Sequence, residues 1–399
     1  MKKKLLGLLL TATLAVTGLA GCGQTGTVAT QDSDEVSAQT ADEGTSDTGE
    51  QDGDHGTLAV SFPTGNIRIA INILALEKGY FEEEGLTIEP VNLMGTDALT
   101  AINEENGALD ILNTGFVPDL QAIGSGYDLV VVGGTAVEGG AIIAKKGNAS
   151  AFQDAENVID TEAITTAKLG LKRNEASWVI TRQYLLDNGV TADTLGAIEN
   201  EESGNISYYA DETAVAQAVQ KGEIEVGFLP LEYALLYADA YDLELIATAG
   251  DLQENYVCCR EVTSKSRLAS KYDAFVAYEI ARIRAFEYYK AGETDADIKA
   301  DVVNIVTNYS GKEADYVETY LYGGVTKYAV DPNTSGIVKY VEAANNSGLL
   351  SGSGVDFATY DIKQNIDTSA FEKAITSLVE REPDNAFYAE VLEQYHSDN

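Results

Sequence analysis

Residues 66–91 read NIRIAINILALEKGYFEEEGLTIEPV, and this stretch decides the fold. Apolar side chains recur at i, i+3, i+4, i+7 and i+8 from Ile67, which is the pattern of one face of an amphipathic helix. Gly79 follows at the position typical of a glycine that ends a helix. Residues 58–62 before this helix and 86–91 after it are strand candidates. The order strand, helix, strand predicts the opening unit of a parallel α/β sheet.

The same stretch resembles a known protein family. Residues 75–86, ALEKGYFEEEGL, are similar to the A-x-E-K-G-[YF]-F-x-x-x-G-L signature of extracellular substrate-binding proteins of ABC importers. The subfamily is the one for uptake of nitrate, sulfonates, taurine and thiamine precursors, and the glycines and aromatic residues fall at its fixed spacing. The resemblance implies an α/β fold of the type II periplasmic-binding-protein kind, with two lobes, two hinge crossings and a small ligand between the lobes.

Composition excludes several classes of function. The chain of 399 residues carries 64 acidic and 26 basic residues, a net charge of −38, which argues against a nucleic-acid partner. Its two histidines, His55 and His396, lie in a polar tract and near the end, which argues against a histidine-based catalytic or zinc site. No glycine-rich phosphate loop, metal-ligand spacing or nucleophile–histidine pair is present in the sequence. We therefore expect no catalytic residues, no metal and no cofactor.

The N-terminus has the features of a lipoprotein leader. Three lysines precede a short apolar run, and LAGC at residues 19–22 matches a lipoprotein signal box. This predicts a signal peptide at 1–21 and an acylated Cys22 that anchors the protein to the outer face of the bacterial cell membrane; the alternative is an ordinary secretory signal with a chance cysteine. Residues 22–56 are acidic and low in complexity, which predicts a disordered tether with an end-to-end distance of about 30 Å.

The rest of the chain divides into three predicted segments. Residues 57–143 form the first part of lobe 1, residues 144–254 form lobe 2, and residues 255–399 complete lobe 1 and end in helices, the last predicted at 370–395. The crossings between lobes are expected near 139–144 and 255–259. Residues 98–111 and 213–226 share the pattern helix, glycine, apolar-acidic-apolar. This pattern fits two similar lobes or two unrelated helix-to-strand turns.

Ligands of open parallel sheets bind beyond the carboxyl ends of the strands. This rule selects the loops 61–65, 113–116, 135–139, 173–178 and 229–232, and the resemblance points to the same loops, with residues 113–115 matching the first-lobe contact of the family. The predicted ligand-binding residues are Ser61, Thr64, Arg68, Asn113, Thr114, Gly115, Thr135, Glu138, Arg173, Asn174, Ser177, Trp178, Leu229 and Glu232.

The sequence leaves the charge of the ligand open. Arg68 or Arg173 would pair bidentately with an anion, whereas Glu138 and Glu232 would favour a cationic or hydrogen-bonding ligand. Trp178 is either a wall of the pocket or a core aromatic residue. The adjacent Cys258 and Cys259 are either a strained vicinal disulfide or buried small apolar groups.

The leading hypothesis for function is capture of a small molecule and its delivery to the permease subunits of an ABC importer, by a monomer held at the membrane. Candidate ligands are an alkanesulfonate, nitrate, a pyrimidine or a flavin-like precursor. One alternative is an enzyme similar to the thiamine-pyrimidine synthase of the same fold, which depends on an active-site histidine and a cysteine-rich iron motif. The predicted globular part has no histidine, and Cys258 and Cys259 are too short a pair for that motif. A second alternative is a ligand sensor without transport.

Overall fold

The strand–helix–strand unit predicted around residues 66–91 is present. Strands β1 (Gly56–Ser61) and β2 (Leu86–Val91) pair in parallel. Helix α1 (Ala70–Glu77) lies between them in the chain. After α1, Gly79 adopts a φ of +76°, in the left-handed region that glycine enters at little cost.

The structure is a computed structural model that describes residues 54–104, 107–154, 158–200 and 202–399. The predicted signal peptide at 1–21, the acylation site Cys22 and most of the predicted tether at 22–56 lie outside the described residues. The other strands are β3 (Leu112–Gly115), β4 (Leu129–Gly134), β5 (Ala136–Val137), β6 (Gly140–Lys145), β7 (Leu169–Lys172), β8 (Ile206–Tyr209), β9 (Val226–Pro230), β10 (Leu243–Thr248), β11 (Cys259–Ser264) and β12 (Lys327–Tyr328).

Helices follow or separate most of these strands. They are α2 (Tyr80–Glu83), α3 (Gly95–Asn103), α4 (Phe116–Gly124), α5 (Thr161–Thr166), α6 (Ala176–Asp187), α7 (Ala192–Ile198), α8 (Glu212–Lys221), α9 (Leu231–Tyr237), α10 (Ala249–Leu252), α11 (Lys265–Ser270), α12 (Tyr272–Ala291), α13 (Ala296–Ser310), α14 (Ala314–Tyr322), α15 (Thr334–Asn346), α16 (Ser369–Arg381) and α17 (Ala386–Asp398). None of the described helices is both long enough and apolar enough to span a bilayer.

Two sheets with equivalent strand orders form the framework of the structure. The first sheet runs β2-β1-β3-β11-β4, where a parallel bridge from Val60 to Ile111 joins β1 to the start of β3. The second sheet runs β8-β7-β9-β6-β10. In each sheet the fourth strand of this order, β11 or β6, is antiparallel to both neighbours. The helix–strand pairs α3–β3 and α8–β9 occupy equivalent places, so the pattern shared by residues 98–111 and 213–226 marks a repeated architecture.

Both faces of each sheet are covered by helices. In β4, Val130 and Val132 pack into a core with α1, α12, α13 and α16. Leu129 and Val131 pack into a second core with α3, α4 and α15. The second sheet alternates in the same way, with Ile142 on the face covered by α6 and the next residue on the face covered by α8 and α9. Such burial on both faces explains the nearly continuous apolar runs in these strands.

The chain passes from the first sheet to the second between β4 and β6, and it returns between β10 and β11. Strand β6 belongs entirely to the second sheet, so the lobe boundary predicted after residue 143 falls inside β6. The boundary predicted after residue 254 falls between β10 and β11. Hinge motion about the two passages stays a prediction.

The single C-terminal helix predicted over 370–395 is wrong, because two helices, α16 and α17, occupy this region. Pro383 lies between them, and proline disfavours helical backbone at the residue before it. Glu382 accordingly has φ −131° and ψ 69°, outside the helical region. Asn385 then starts α17 by accepting hydrogen bonds from the backbone N–H groups of Phe387 and Tyr388.

Candidate functional site

A cavity of about 340 Å³ lies where strand ends of the two sheets face each other. From the side of the first sheet it is lined by Arg68, Met94, Thr114, Gly115, Phe116, Val117, Pro118 and Cys258. From the side of the second sheet it is lined by Gly139, Lys172, Arg173, Asn174, Glu175, Ala176, Glu212, Pro230, Glu232 and Tyr233. We call it the central cavity. It lies beyond the carboxyl ends of β3, β7 and β9, as expected for open α/β sheets.

The loop between β7 and α6 supplies the most polar wall. Asn174 has a φ of +65°, a left-handed conformation that asparagine tolerates better than most residues. This turn places Glu175 at the start of α6, where its carboxylate accepts hydrogen bonds from the backbone N–H of Ser177 at 3.2 Å and from its hydroxyl at 2.9 Å. The hydroxyl of Ser177 is buried and held by this carboxylate, so it supports the loop and does not face the cavity.

Glu175 is one of several residues that line the cavity and were not predicted from the sequence, with Met94, Lys172, Glu212, Tyr233 and Cys258. Burial raises the pKa of its carboxyl group to about 7, and the two hydrogen bonds from Ser177 lower the pKa only in part. The group is therefore balanced between its neutral and charged forms near neutral pH. The sequence predicts Glu175 at the start of a helix, but only its neighbours Asn174 and Ser177 were selected as site residues, because they offer an amide and a hydroxyl.

Two ion pairs are formed by charged side chains that line the central cavity. Arg68 Nε lies 3.3 Å from Glu232 Oε1, and this contact joins the two sides of the cavity. Burial raises the pKa of Glu232, although the Arg68 charge opposes this shift. Lys172 Nζ lies 2.7 Å from Glu212 Oε1. With Arg173, whose guanidinium lies 4.2 Å from the centre of an aromatic ring, three basic and three acidic side chains line the cavity.

A small cavity of about 20 Å³ opens beside the central cavity and shares Arg68, Met94 and Thr114 with it. Two further predicted site residues, Asn113 and Thr135, line this cavity and not the central one. Asn113 is buried, donates to the carbonyl of Ser61 at 3.4 Å and accepts from the side-chain amide of Asn72 at 3.3 Å. Thr135 is also buried, and its hydroxyl has no hydrogen-bond partner among the described residues. The volume is close to that of one water molecule.

Two flanking cavities extend the central cavity. One of about 240 Å³ includes Thr64 and shares Arg68 and Glu232. The other, of about 230 Å³, includes Trp178 and shares Arg173 and Asn174. The indole N–H of Trp178 donates to Glu199 at 3.0 Å, and its ring packs edge-on against a phenylalanine of β9.

Six of the fourteen predicted residues line the central cavity, namely Arg68, Thr114, Gly115, Arg173, Asn174 and Glu232. Ser61, Glu138, Ser177 and Leu229 line none of the cavities described here. The hydroxyl of Ser61 donates to the carbonyl of Leu93. Leu229 is packed in the core with α8 and α9.

Glu138 does not line the central cavity, and its contacts stabilise the surrounding structure instead. Its carboxylate accepts from the backbone N–H of Asn255 at 2.9 Å and pairs with Lys327 Nζ at 2.8 Å. It therefore holds together the two passages between the sheets, which explains its burial in a loop.

Two adjacent thiols lie where the central and small cavities meet. Cys258 lines the central cavity and Cys259 lines the small one, with 3.6 Å between their sulfur atoms. Both cysteines are free, so the vicinal disulfide considered from the sequence is not formed in this structure. Their hydrogen bond lowers the pKa of Cys259 to about 7, and the Arg68 charge acts in the same direction.

No protein-family model matches the sequence, and no curated protein sequence matches it. Solved structures do match. The periplasmic nitrate-binding protein of Synechocystis PCC 6803 superposes with a TM-score of 0.60 at 15% identity, over 83% of this chain and 91% of the other. A zinc-bound ligand-binding component of an ABC-type import system from Staphylococcus aureus gives a TM-score of 0.58 at 15% identity, over 80% and 99%.

A third structure is the alkanesulfonate-binding protein of Xanthomonas axonopodis pv. citri bound to MOPS, with a TM-score of 0.55 at 15% identity over 78% of this chain and 98% of that protein. At this level of identity, the similarity is one of fold. The repeated strand order, the cavity between the two sheets and these superpositions together show that the chain has the fold of the type II periplasmic binding proteins.

Proposed function

We propose that this protein captures a small solute in the central cavity and delivers it to the permease subunits of an ABC importer. The observation that carries the proposal is that strand-end loops of both sheets contribute polar side chains to one cavity of about 340 Å³. This volume falls in the range of ligand sites for small molecules. A solute bound there would be contacted from both sides, as capture between two lobes requires. The fold supports the same role, since the similar structures are binding proteins.

The preferred ligand is an uncharged hydrogen-bonding heterocycle such as a pyrimidine. Each acidic residue of the cavity repels a simple anion, and Arg68 is already paired with Glu232. An anion such as nitrate would have to share the guanidinium with that carboxylate. A polar heterocycle instead finds donors and acceptors from side chains such as Asn174 and Thr114, and Tyr233 supplies an aromatic surface.

The protein acts as a monomeric binding protein and not as an enzyme. Neither His55 nor His396 lines any cavity described above, so no histidine is placed there as a general base. The LAGC box supports attachment of the mature protein to the outer face of the membrane through Cys22. Replacing Cys22 with Ser should release the protein into the medium, which cell fractionation and immunoblotting would detect.

A thermal-shift screen of pyrimidines, flavin-like precursors, alkanesulfonates and nitrate tests the ligand class. A ligand present at 100 times its dissociation constant raises the free energy of unfolding by about 2.7 kcal/mol. Thr114→Val removes one hydroxyl from the cavity, and we expect it to weaken binding roughly tenfold. Thr87→Val, at an exposed position of β2, is the matched control and should bind normally. Stabilisation by nitrate alone would contradict the preferred ligand class.

A further inference from the structure

The sulfur-bearing side chains of the described residues converge on one place. The chain has three cysteines and two methionines, of which Met1 and Cys22 lie outside the described residues. Cys258 lines the central cavity, Cys259 lines the small cavity, and Met94 lines both. Met94 lies before α3 and the cysteines lie at the start of β11, so distant parts of the chain bring these side chains together.

The two thiols already have the spacing of a chelating pair. Their sulfur atoms are 3.6 Å apart. Two thiolates bound to one metal ion at about 2.3 Å each, with a near-tetrahedral angle, lie roughly 3.8 Å apart. A metal ion would therefore require little movement of Cys258 and Cys259. Met94 is 55% exposed, so its thioether has freedom to approach such an ion.

The charge nearby suits an anionic metal–dithiolate unit. Arg68 lines both cavities beside the thiols. One monovalent cation bound by two thiolates carries a net charge of −1, and Arg68 offsets part of this charge while it also pairs with Glu232. Harder ions find a poorer site, because the described residues contain no group of three His, Cys, Asp or Glu side chains placed to hold a metal ion. A four-coordinate zinc site made of such residues is thus not assembled.

We propose that the protein binds one soft monovalent cation of the Cu(I) class where the central and small cavities meet, through Cys258 Sγ and Cys259 Sγ, with Met94 Sδ as the third donor. Thiolate and thioether sulfur are the ligands that select such ions. Binding releases the thiol protons to solvent and transfers no electron. The inference goes beyond the proposed function, since it adds a metal site beside the cavity that takes the organic solute. The sequence did not predict it, because metal-site spacing rules for His and Cys do not count Met94.

The test uses the full chain carrying Cys22→Ser, which leaves Cys258 and Cys259 as its thiols. Cu(I) is titrated without oxygen against a coloured Cu(I) chelator, and Ag(I) serves as a second probe that does not change oxidation state. We expect one ion per chain, with binding weakened roughly 100-fold in Cys258→Ser and in Cys259→Ser and roughly tenfold in Met94→Leu. Circular dichroism verifies folding, and the exposure of Met94 makes Met94→Leu the variant that best preserves it.

Equal Cu(I) affinity in the parent and in the Cys258→Ser, Cys259→Ser double variant would overturn the inference. So would Zn(II) binding as tight as that of Cu(I). If either result appears while an organic solute still stabilises the same protein, the proposed capture function stands and only the metal class fails. Loss of Cu(I) binding in the thiol variants, with binding of the organic solute retained, supports the inference.

Discussion

At the scale of single residues, Glu175 makes stability depend on pH. Its carboxyl pKa is raised from 4.5 to about 7 because the group is buried. The folded protein therefore holds this proton more tightly than the unfolded chain does. The resulting stabilisation is present below pH 4.5 and is lost as pH rises through about 7, with a total of about 3 kcal/mol.

Glu175→Gln should remove this pH-dependent part, because glutamine resembles the protonated carboxyl group at every pH. We expect the free energy of unfolding of the parent to fall by about 3 kcal/mol more than that of the variant between pH 4.5 and pH 8, measured by urea denaturation. Glu89→Gln, at an exposed position of β2, is the control and should keep the parental slope. Identical slopes in parent and Glu175→Gln would show that burial does not perturb this carboxyl group.

The residue scale also shows why some site predictions did not reach the cavity. The rule of strand ends selects loops that contribute to the cavities, but it does not predict the direction of each side chain. The side chain of Ser177 turns away from the cavity because its hydroxyl donates a hydrogen bond to the carboxylate of Glu175. The hydroxyl of Ser61 donates to a backbone carbonyl. The partner of Ser61 is fixed by tertiary structure, whereas the partner of Ser177 is a local cap of α6 formed by a glutamate, which is not among the preferred capping residues. Arg68 and Glu232 line the cavity because long charged side chains reach it from the segment before α1 and from the first turn of α9.

At the scale of elements, α8 offers a direct test of helix capping. The carboxylate of Asp211 accepts a hydrogen bond from the backbone N–H of Ala214 at 2.8 Å, and Gly222 ends the helix with a φ of +74°. Asp211→Ala should lower the free energy of unfolding by about 1 kcal/mol. Asp211→Asn keeps a side-chain oxygen in place and should retain most of that stability. Equal losses in both variants, measured by urea denaturation, would contradict the capping role.

Elements were predictable where one local signal was sufficient. The helical period from Ile67 and the glycine at position 79 located α1 and its end. The pattern repeated at 213–226 located α8 and β9. The prediction of one C-terminal helix failed because it ran across Pro383, which lies in the polar run at 380–385 where α16 ends. Strand order and the pairing of β11 with β3 depend on contacts between distant residues, which the sequence alone does not reveal.

At the scale of the whole molecule, a buried ion cluster ties the first sheet to its helices. Arg282 Nη1 lies 2.6 Å from both Glu261 of β11 and Glu279 of α12, and Nε donates to Asn72 of α1 at 2.9 Å. All four side chains are buried. Burial raises the pKa of Glu279 to about 8, against the attraction of Arg282.

Arg282→Met should destabilise the protein by about 3–5 kcal/mol, because two acidic groups lose their buried partner. The triple variant Glu261→Gln, Glu279→Gln, Arg282→Met should be more stable than Arg282→Met alone, since it leaves no unpaired charge. Guanidinium denaturation measures the free energy of unfolding of the parent, of Arg282→Met and of the triple variant. Lys373→Met removes an exposed ion pair with Asp273 and should change stability by less than about 1 kcal/mol. A triple variant less stable than Arg282→Met would mean that hydrogen bonding, and not charge, dominates the cluster.

The ion pair between Arg68 and Glu232 links the two sides of the central cavity, so its strength reports on their separation in solution. A double-mutant cycle with Arg68→Met and Glu232→Gln, read by urea denaturation, should give a coupling free energy of about 0.5–1 kcal/mol, since Arg68 is 26% exposed. The coupling should fall in 1 M salt because screening then acts over about 3 Å. Absence of coupling at low salt would mean that the two sides stand apart without ligand. The same cycle repeated with a stabilising solute should then recover the coupling, because closure around the solute brings the two charges together.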